Sequence, residues 1–206
     1  MVIMWCFLVL VLIVVLLNVT VITACALRRF DKPMVRYIAV TSMVDTYWGA
    51  FGMGSYTYNI TVGPRFMFFA DCVSQMFFRH VFLLGQFLMI TVMYVDRHCA
   101  VFWPYTYATW TARRNGTSET LTLVWCVAVL FALVFPVAAT RLSFCTDPVV
   151  IKGTSCIYGV FSKAACNDRF LQNTLTACVL YFFMGQSALV VVYLTWCILR
   201  MCRRAI

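Results

Sequence analysis

Long, unbroken apolar stretches are the feature that most restricts what this chain can fold into. The hydrocarbon core of a bilayer is roughly 30 Å thick, so a helix that crosses it needs about 20 consecutive apolar residues. Five stretches meet this requirement, each closed by charged or turn-forming residues; they are residues 1–27, 34–58, 72–95, 119–140 and 170–199. They are continuous, as spanning helices are, and do not alternate as barrel strands do. The sequence therefore predicts an all-α integral membrane protein with five transmembrane helices.

Composition and charge agree with a membrane location and indicate an orientation. Hydrophobic residues make up 64% of the chain and charged residues 11%, a balance that a water-soluble domain of this length would not tolerate. Of the 16 Lys and Arg residues, ten lie on one predicted side, at positions 28–36, 97, 113–114 and 200–204. Because short basic loops stay in the cytosol, this pattern predicts an extracellular N-terminus. The net charge of +9 favours contact with anionic membrane lipid, and the sequence has no basic stripe of the kind that binds nucleic acid.

The first stretch ends in Ala24-Cys25-Ala26, a pattern of small residues that also marks signal-peptide cleavage. The apolar run is about twice as long as the core of a signal peptide, and its positive charges follow it instead of preceding it. We therefore expect a retained transmembrane helix rather than a cleaved leader.

A charged segment closes the third stretch and continues past a proline. It reads MYVDRHCAVFWPYTY over residues 93–107, with Asp96 and Arg97 at the membrane boundary and Pro104 seven residues after the arginine. This segment resembles the MAYDRYVAICxPLxY segment of odorant receptors, which are a branch of the rhodopsin-like G-protein-coupled receptors. Within this branch, the chain resembles the fish receptors. Further features match at the family's spacing; they are Asn18, Pro33, Met34, Ser42, Asp45, Cys72, Trp125, Pro136, Cys145, Cys156, Cys166 and Tyr193. The resemblance implies a seven-helix receptor bundle, with residues 141–169 as the second extracellular loop.

The chain also departs from the family pattern. Leu17 stands where the family has glycine, Gly185 where many receptors have proline, and Val192 where the family has serine. No apolar stretch follows Arg204 within the 206 residues, so the segments of a sixth and a seventh helix are missing from this sequence. We therefore expect a partial receptor that inserts with an external N-terminus, is retained in the endoplasmic reticulum and does not activate a G protein alone. The alternative is a non-signalling relative that inserts and associates with other receptors, for example as a dimer.

Arg79 is the sharpest candidate for ligand chemistry, because a charge within the membrane is costly unless it faces protein or water. Arg79, Gln86 and Arg97 share one helix face, since eighteen residues from the first to the last make five full turns. At that depth the resemblance implies a small-molecule pocket, in which Arg79 would favour an acidic odorant. The alternative is that Arg79 reaches the headgroups or pairs with Asp71.

Three further residues are candidates to line the same pocket. His80 is next to Arg79 in the sequence, and contact with a neighbouring helix is its alternative role. Tyr181 and Phe182 of the fifth span are also candidates to line the pocket, and core packing is their alternative role. The resemblance also assigns G-protein coupling to a second set, which consists of Asp96, Arg97, His98, Pro104 and Tyr193.

Asp45 lies about a dozen residues into the second span, near mid-membrane. By resemblance, it would bind a sodium ion or a water cluster beside Asn18. The alternative is a protonated aspartate that is hydrogen-bonded between two helices.

Four of the 11 cysteines lie on the predicted external side; they are Cys72, Cys145, Cys156 and Cys166. An even number in an oxidising compartment predicts two disulfides, and four cysteines allow three pairings. The resemblance implies the pairs Cys72–Cys156 and Cys145–Cys166. Neither the cysteine spacing nor the two histidines support a metal site.

The remaining function classes are less well supported. No internal repeat indicates a transporter, and no catalytic constellation indicates an enzyme. No cofactor is predicted. The sequence therefore favours an odorant-receptor-like G-protein-coupled receptor that binds a small molecule and a heterotrimeric G protein.

Overall fold

The structure, a computed structural model, describes residues 2–27, 32–49, 65–111, 116–144, 150–153, 156, 165–166 and 170–205. Its helices are α1 (Val2–Leu27), α2 (Pro33–Tyr47), α3 (Phe69–Phe102), α4 (Pro104–Thr111), α5 (Gly116–Ala132), α6 (Val134–Thr140) and α7 (Phe170–Ala205). Two short strands, β1 (Arg65–Phe68) and β2 (Val150–Gly153), pair antiparallel. The all-helical membrane fold is confirmed, with this small strand pair as an addition that the sequence did not predict.

Four helical segments of the described residues are long and apolar enough to cross a membrane. They are Leu8–Leu27, Phe69–Phe102, Gly116–Thr140 and Phe170–Arg203. The second predicted span corresponds to α2, and its predicted continuation to residue 58 falls mainly outside the described residues. Pro33 begins α2 because its ring fixes φ for the first helical turn, where no intrahelical N–H is needed.

Helix α3 runs well beyond the predicted residues 72–95 and ends at Phe102. The charged Asp96 and Arg97 do not stop it, since charged side chains are compatible with helical geometry outside the hydrocarbon core. Trp103 leaves the helical region, with φ −132° and ψ 62°, because Pro104 disfavours α geometry in the residue before it. The chain then turns and begins α4 at Pro104.

The fourth predicted span is divided into α5 and α6 by a break at Leu133. Pro136 explains the position of this break. Its ring conflicts with the carbonyl four residues earlier, that of Ala132, and it has no N–H to donate to that carbonyl. The helical path nevertheless continues, since Val137 N donates to Leu133 O at 3.1 Å.

The main core forms where α3 packs against α5, α6 and α7. Its fully buried members include Met76, Leu84, Ala128, Ala132 and Phe135. Gly85 allows a close approach of α3 to α5 in this core, because a Cβ atom there would lie 2.6 Å from Cζ3 of Trp125 on α5. Helix α3 is therefore the central element against which the other helices are positioned.

A disulfide closes one end of α3, which we call the disulfide end. The predicted bond between Cys72 and Cys156 is present, with the two Cα atoms 5.3 Å apart and both residues buried. Gln75 supports it, since its Oε1 accepts a hydrogen bond from Cys156 N at 3.1 Å. The β1–β2 pair lies beside this bond and brings residues 150–153 to the same end of the helix.

The second predicted disulfide joins Cys145 and Cys166. Cys166 is disulfide-bonded, whereas Cys145 lies outside the described residues. Phe144 and Ala165 form an antiparallel bridge, and Cys166 N donates to Ser143 O at 2.8 Å. The pairing with Cys145 stays a prediction.

Candidate functional site

The opposite end of α3, which we call the Asp96 end, carries a buried acidic network. The Asp96 side chain is only 3% exposed, whereas that of Arg97 is 47% exposed. Arg97 Nη2 lies 2.8 Å from Asp96 Oδ2, and Tyr107 Oη donates to Asp96 Oδ1 at 2.9 Å. Both carboxylate oxygens therefore have a partner, one from the adjacent residue and one from α4. This compensates a charge whose burial would otherwise be unfavourable.

Tyr107 completes this network, and it was not among the site residues predicted from the sequence. The signal was nevertheless present, since Tyr107 is the last residue of the 93–107 segment and matches the tyrosine that ends the family segment. Burial, together with its hydrogen bond to Asp96 and the charge of that group, raises the pKa of Tyr107 to about 12. The phenol therefore stays protonated at neutral pH and remains a donor.

The other residues assigned to coupling do not join the Asp96 network directly. His98 stacks on Phe102, with ring centroids 4.3 Å apart, and its edge meets Trp103. Pro104 is exposed at the first position of α4. Tyr193 is exposed on α7. Of the predicted coupling set, the structure brings together Asp96 and Arg97.

A second polar cluster joins α2 and α3 in the middle of the bundle. Gln86 Nε2 donates a hydrogen bond to Asp45 Oδ1. Two neighbouring buried oxygens, Thr41 Oγ1 and Gln86 Oε1, have no hydrogen-bond partner. Asn18 is not part of this cluster, because its Nδ2 donates to Val14 O on its own helix at 3.0 Å. The structure thus places Asp45 in an interhelical hydrogen bond.

The cluster also bears on ion binding. Two unsatisfied buried oxygens next to a carboxylate form a set that suits a small cation or a water molecule. Within the described part of the chain, no group of three or more His, Cys, Asp and Glu side chains could hold a metal ion. A tightly bound transition metal is therefore a poorer fit to these residues than a weakly held alkali ion or water.

The predicted ligand residues of α3 face two different neighbours. The guanidinium of Arg79 lies 5.0 Å from the ring centroid of Trp48, just beyond α2. Arg79 and Gln86 therefore face the same side of α3, as their spacing predicted. His80 points elsewhere: it stacks on Phe135 of α6 with centroids 3.5 Å apart, and its Nδ1 lies 2.7 Å from Met76 O.

A small cavity separates α3 from α7 in this half of the bundle. Its volume is about 280 Å³, and its lining consists of Leu83, Phe87, Ala177, Leu180, Tyr181 and Met184. Tyr181 is the predicted ligand residue that lines it. Phe182 is exposed and meets the edge of Phe183. Among the four predicted pocket residues, the structure therefore brings Tyr181 alone to this cavity.

A bundle of apolar helices, with a disulfide at one end of its central helix and a buried aspartate paired with an arginine at the other, defines a rhodopsin-like receptor. Comparison with known proteins narrows this class. The family model for olfactory receptors matches residues 5–204. Human olfactory receptor 7C1 is 31% identical over 171 residues, which are 82% of this chain and 51% of that protein. Olfactory receptor 1D5 of Pan troglodytes is 27% identical over 182 residues, 86% of this chain and 57% of that protein.

The chain belongs to the olfactory receptor family. It is an odorant-receptor-like member of the G-protein-coupled receptors and a multi-pass membrane protein. This family consists of receptors and not of enzymes. It spans 51% and 57% of the length of the two relatives named.

Proposed function

We propose that this chain supplies the odorant-binding and part of the G-protein-contacting surface of an olfactory receptor. One observation carries the proposal. The same helix, α3, is fixed at one end to a loop through Cys72–Cys156 and holds the Asp96–Arg97 pair at its other end. A rigid helix that joins a loop-covered end to a charged end is suited to relay ligand binding through the bundle.

The orientation that we propose places the disulfide end outside the cell. Disulfides persist in oxidising compartments, so Cys72 and Cys156 belong on the extracellular side. Asp96 and Arg97 then face the cytosol, in agreement with the excess of basic residues on that side. The N-terminus lies outside and the protein resides in the plasma membrane. Antibody labelling of an N-terminal tag after digitonin treatment, which permeabilises the plasma membrane and leaves the endoplasmic reticulum closed, tests this orientation. A tag that becomes accessible only at that step would lie in the cytosol and would contradict it, whereas a tag inside the endoplasmic reticulum needs full permeabilisation.

The ligand we propose is a small apolar odorant bound between α3 and α7. The cavity of about 280 Å³ is close to the lower end of the range of ligand pockets, and its walls are apolar apart from the hydroxyl of Tyr181. Arg79 does not line this cavity, because it faces Trp48 on the α2 side of α3. We propose it as a separate contact, on that side, for odorants that carry a carboxylate. A guanidinium binds a carboxylate through two parallel hydrogen bonds, which a lysine cannot reproduce.

The G protein that we propose as partner contacts Arg97. The Arg97 side chain is half exposed, whereas Asp96 is buried and accepts a hydrogen bond from Tyr107. An activated state that weakens the Asp96–Arg97 contact would release the guanidinium toward the partner. Arg97→Ala should therefore abolish coupling, and Asp96→Asn should raise signalling without odorant.

One experiment tests ligand and coupling proposals together. Residues 1–206 replace the matching part of human olfactory receptor 7C1, and cyclic AMP is measured in cells exposed to a panel of carboxylic acids and neutral odorants. The proposal requires an odorant response that Arg97→Ala removes. Arg79→Leu should reduce responses to acids only, and Arg79→Lys should recover them incompletely. Unchanged responses to acids in Arg79→Leu would contradict the role of Arg79.

Asp45 and Gln86 complete the proposed receptor core. We propose that a water molecule or a sodium ion occupies the space beside Asp45 and satisfies Thr41 Oγ1 and Gln86 Oε1. These residues would hold it between α2 and α3, where it would stabilise one packing of the two helices. A dependence of thermal stability on sodium that disappears in Asp45→Asn would support the ion, and a sodium-independent stability would leave water as the occupant.

A second candidate function is association with other receptors without signalling by this chain. The apolar face of α7 favours it, since Leu189, Val192 and Trp196 are exposed there. Expression of the 206-residue chain alone separates the two candidates. Surface labelling that appears only upon co-expression of another olfactory receptor, with no cyclic-AMP response of its own, would favour this second function and account for retention in the endoplasmic reticulum.

A further inference from the structure

A second and larger cavity lies at the Asp96 end of the bundle, on the side of α3 that faces α2, α4 and α5. Its volume is about 420 Å³. Four aromatic side chains contribute to its wall: Tyr37, Trp103, Tyr107 and Trp110. The odorant cavity proposed above has a different lining, so the two are separate spaces.

Several polar groups on the wall of this cavity already have partners within the protein. Tyr107 donates to Asp96, and Thr120 Oγ1 donates to Gly116 O at 3.0 Å. Thr91 Oγ1 donates to Phe87 O at 2.9 Å. A bound molecule would therefore find few free hydrogen-bonding groups and would be held mainly by contact with rings and aliphatic side chains.

The charges around the cavity restrict the ligand further. The carboxylate of Asp96 would repel an anion. A cation would have to compete with Arg97 and Tyr107, which already engage both oxygens of Asp96. An uncharged molecule meets neither obstacle. Aromatic rings also favour an aromatic guest through offset or edge-to-face contacts.

We propose that this cavity is a second small-molecule site, which takes an uncharged aromatic molecule that dissolves in the bilayer. The volume lies within the range of pockets that bind small molecules. A closed apolar cavity in a protein can stay dry and bind an aromatic hydrocarbon, so contact with rings and aliphatic side chains can hold such a molecule without hydrogen bonds. Because Tyr107 and Trp110 belong to α4 and Asp96 to α3, an occupant would hold α4 against α3. That this would alter coupling rests on the proposed function; the binding itself does not.

Cys99 provides a direct reporter, because it lines the cavity and is a free thiol. The 206-residue chain is reconstituted in lipid nanodiscs, and alkylation by N-ethylmaleimide is followed for each cysteine peptide by mass spectrometry, with and without naphthalene. Occupancy should slow the alkylation of Cys99 in a saturable manner, about fivefold at a free naphthalene concentration four times the Kd. Cys202, an exposed thiol near the end of α7, should react at an unchanged rate.

Two valines on α3 make a matched pair for filling the cavity. Val95 lines it and is 43% exposed, whereas Val101 is 42% exposed and is not part of its lining. Val95→Trp should remove the protection of Cys99 by naphthalene, and Val101→Trp should retain it. Retained protection in Val95→Trp would place the naphthalene elsewhere and overturn the proposal. An intact Cys72–Cys156 bond in each variant verifies folding.

The unsubstituted chain tests the proposal even where Val95→Trp does not fold. Equal slowing at Cys99 and Cys202, or slowing that rises without saturation, would show only general partition of naphthalene into the bilayer and would overturn the proposed site. Protection by naphthoate or by naphthylmethylammonium as strong as that by naphthalene would overturn the restriction to uncharged ligands. All these readouts measure binding, so a failure of odorant signalling would leave them unaffected.

Discussion

The phenol of Tyr107 donates a hydrogen bond to Asp96 Oδ1 across 2.9 Å and so joins α4 to the end of α3. On the other oxygen of the same carboxylate, Arg97 approaches to 2.8 Å. One partner is next to Asp96 in sequence and the other is eleven residues away, beyond the turn at Pro104. The turn thus has a function in the fold, since it brings a donor back to a buried charge.

Removal of this donor should destabilise the protein measurably. Tyr107→Phe leaves Asp96 with one hydrogen bond fewer, and a hydrogen bond to a charged group contributes about 1.5–3 kcal/mol. We expect the free energy of unfolding in detergent to fall by an amount in that range. Tyr105→Phe is the control, because Tyr105 is on the same helix and is 89% exposed. Equal effects of the two substitutions would contradict the role of Tyr107.

The ionisation of Tyr107 gives a pH dependence. Its folded-state pKa is raised from 10.0 to about 12, by burial first and then by Asp96. A raised pKa means that the contribution to stability is complete below about pH 10 and is lost as the pH rises through about 12. An ultraviolet titration of the phenolate, taken as the difference between the unsubstituted chain and Tyr107→Phe, should show this late step. A step near pH 10 would show that the phenol is not held as described.

The contact between Gly85 and Trp125 predicts a strong effect from one added methyl group. A Cβ at position 85 would lie 2.6 Å from the indole, so Gly85→Ala forces α3 and α5 apart. Overpacking of this kind costs about 1–3 kcal/mol. Gly185→Ala is the matched control, because nothing lies within 4 Å of a Cβ built there. Thermal unfolding of both variants in detergent measures the difference.

A second substitution on α5 separates the steric cause from an effect on the helix itself. Trp125→Phe, combined with Gly85→Ala, removes the ring that the new methyl group meets and should restore part of the lost stability. Independent, additive losses in the double variant would contradict a steric clash between these two residues.

The disulfides can be tested by peptide mapping without reduction. We expect one peptide that joins Cys72 to Cys156 and another that joins Cys145 to Cys166. Cys156→Ser should destabilise the folded chain by about 2–5 kcal/mol, since the bond closes a loop with a sequence separation of 84 residues. Cys178→Ser, at an exposed free thiol, should change little. A peptide that joins Cys72 to Cys145 would contradict both assignments.

Sequence alone determined the class of fold and identified several residues of the candidate site. Apolar length specified the membrane helices, because each such run must satisfy its own backbone hydrogen bonds in lipid. The local effect of a proline on its preceding residues explains why α3 ends before Pro104 and why the helical path breaks at Leu133, before Pro136, although that break was not predicted. The position of Asp45 in a predicted span and the pairing of Cys72 with Cys156 were equally readable from the chain and its family resemblance.

Tertiary structure decided which of these residues meet. His80 is adjacent to Arg79, yet it stacks on Phe135 while Arg79 turns to Trp48. Tyr107 reaches Asp96 only because the chain reverses after α3. Periodicity along one helix tells which residues share a face, but it does not tell which neighbour that face meets. That neighbour depends on the rotation and separation of helices that are far apart in sequence, and these follow from packing at contacts such as Gly85 against Trp125.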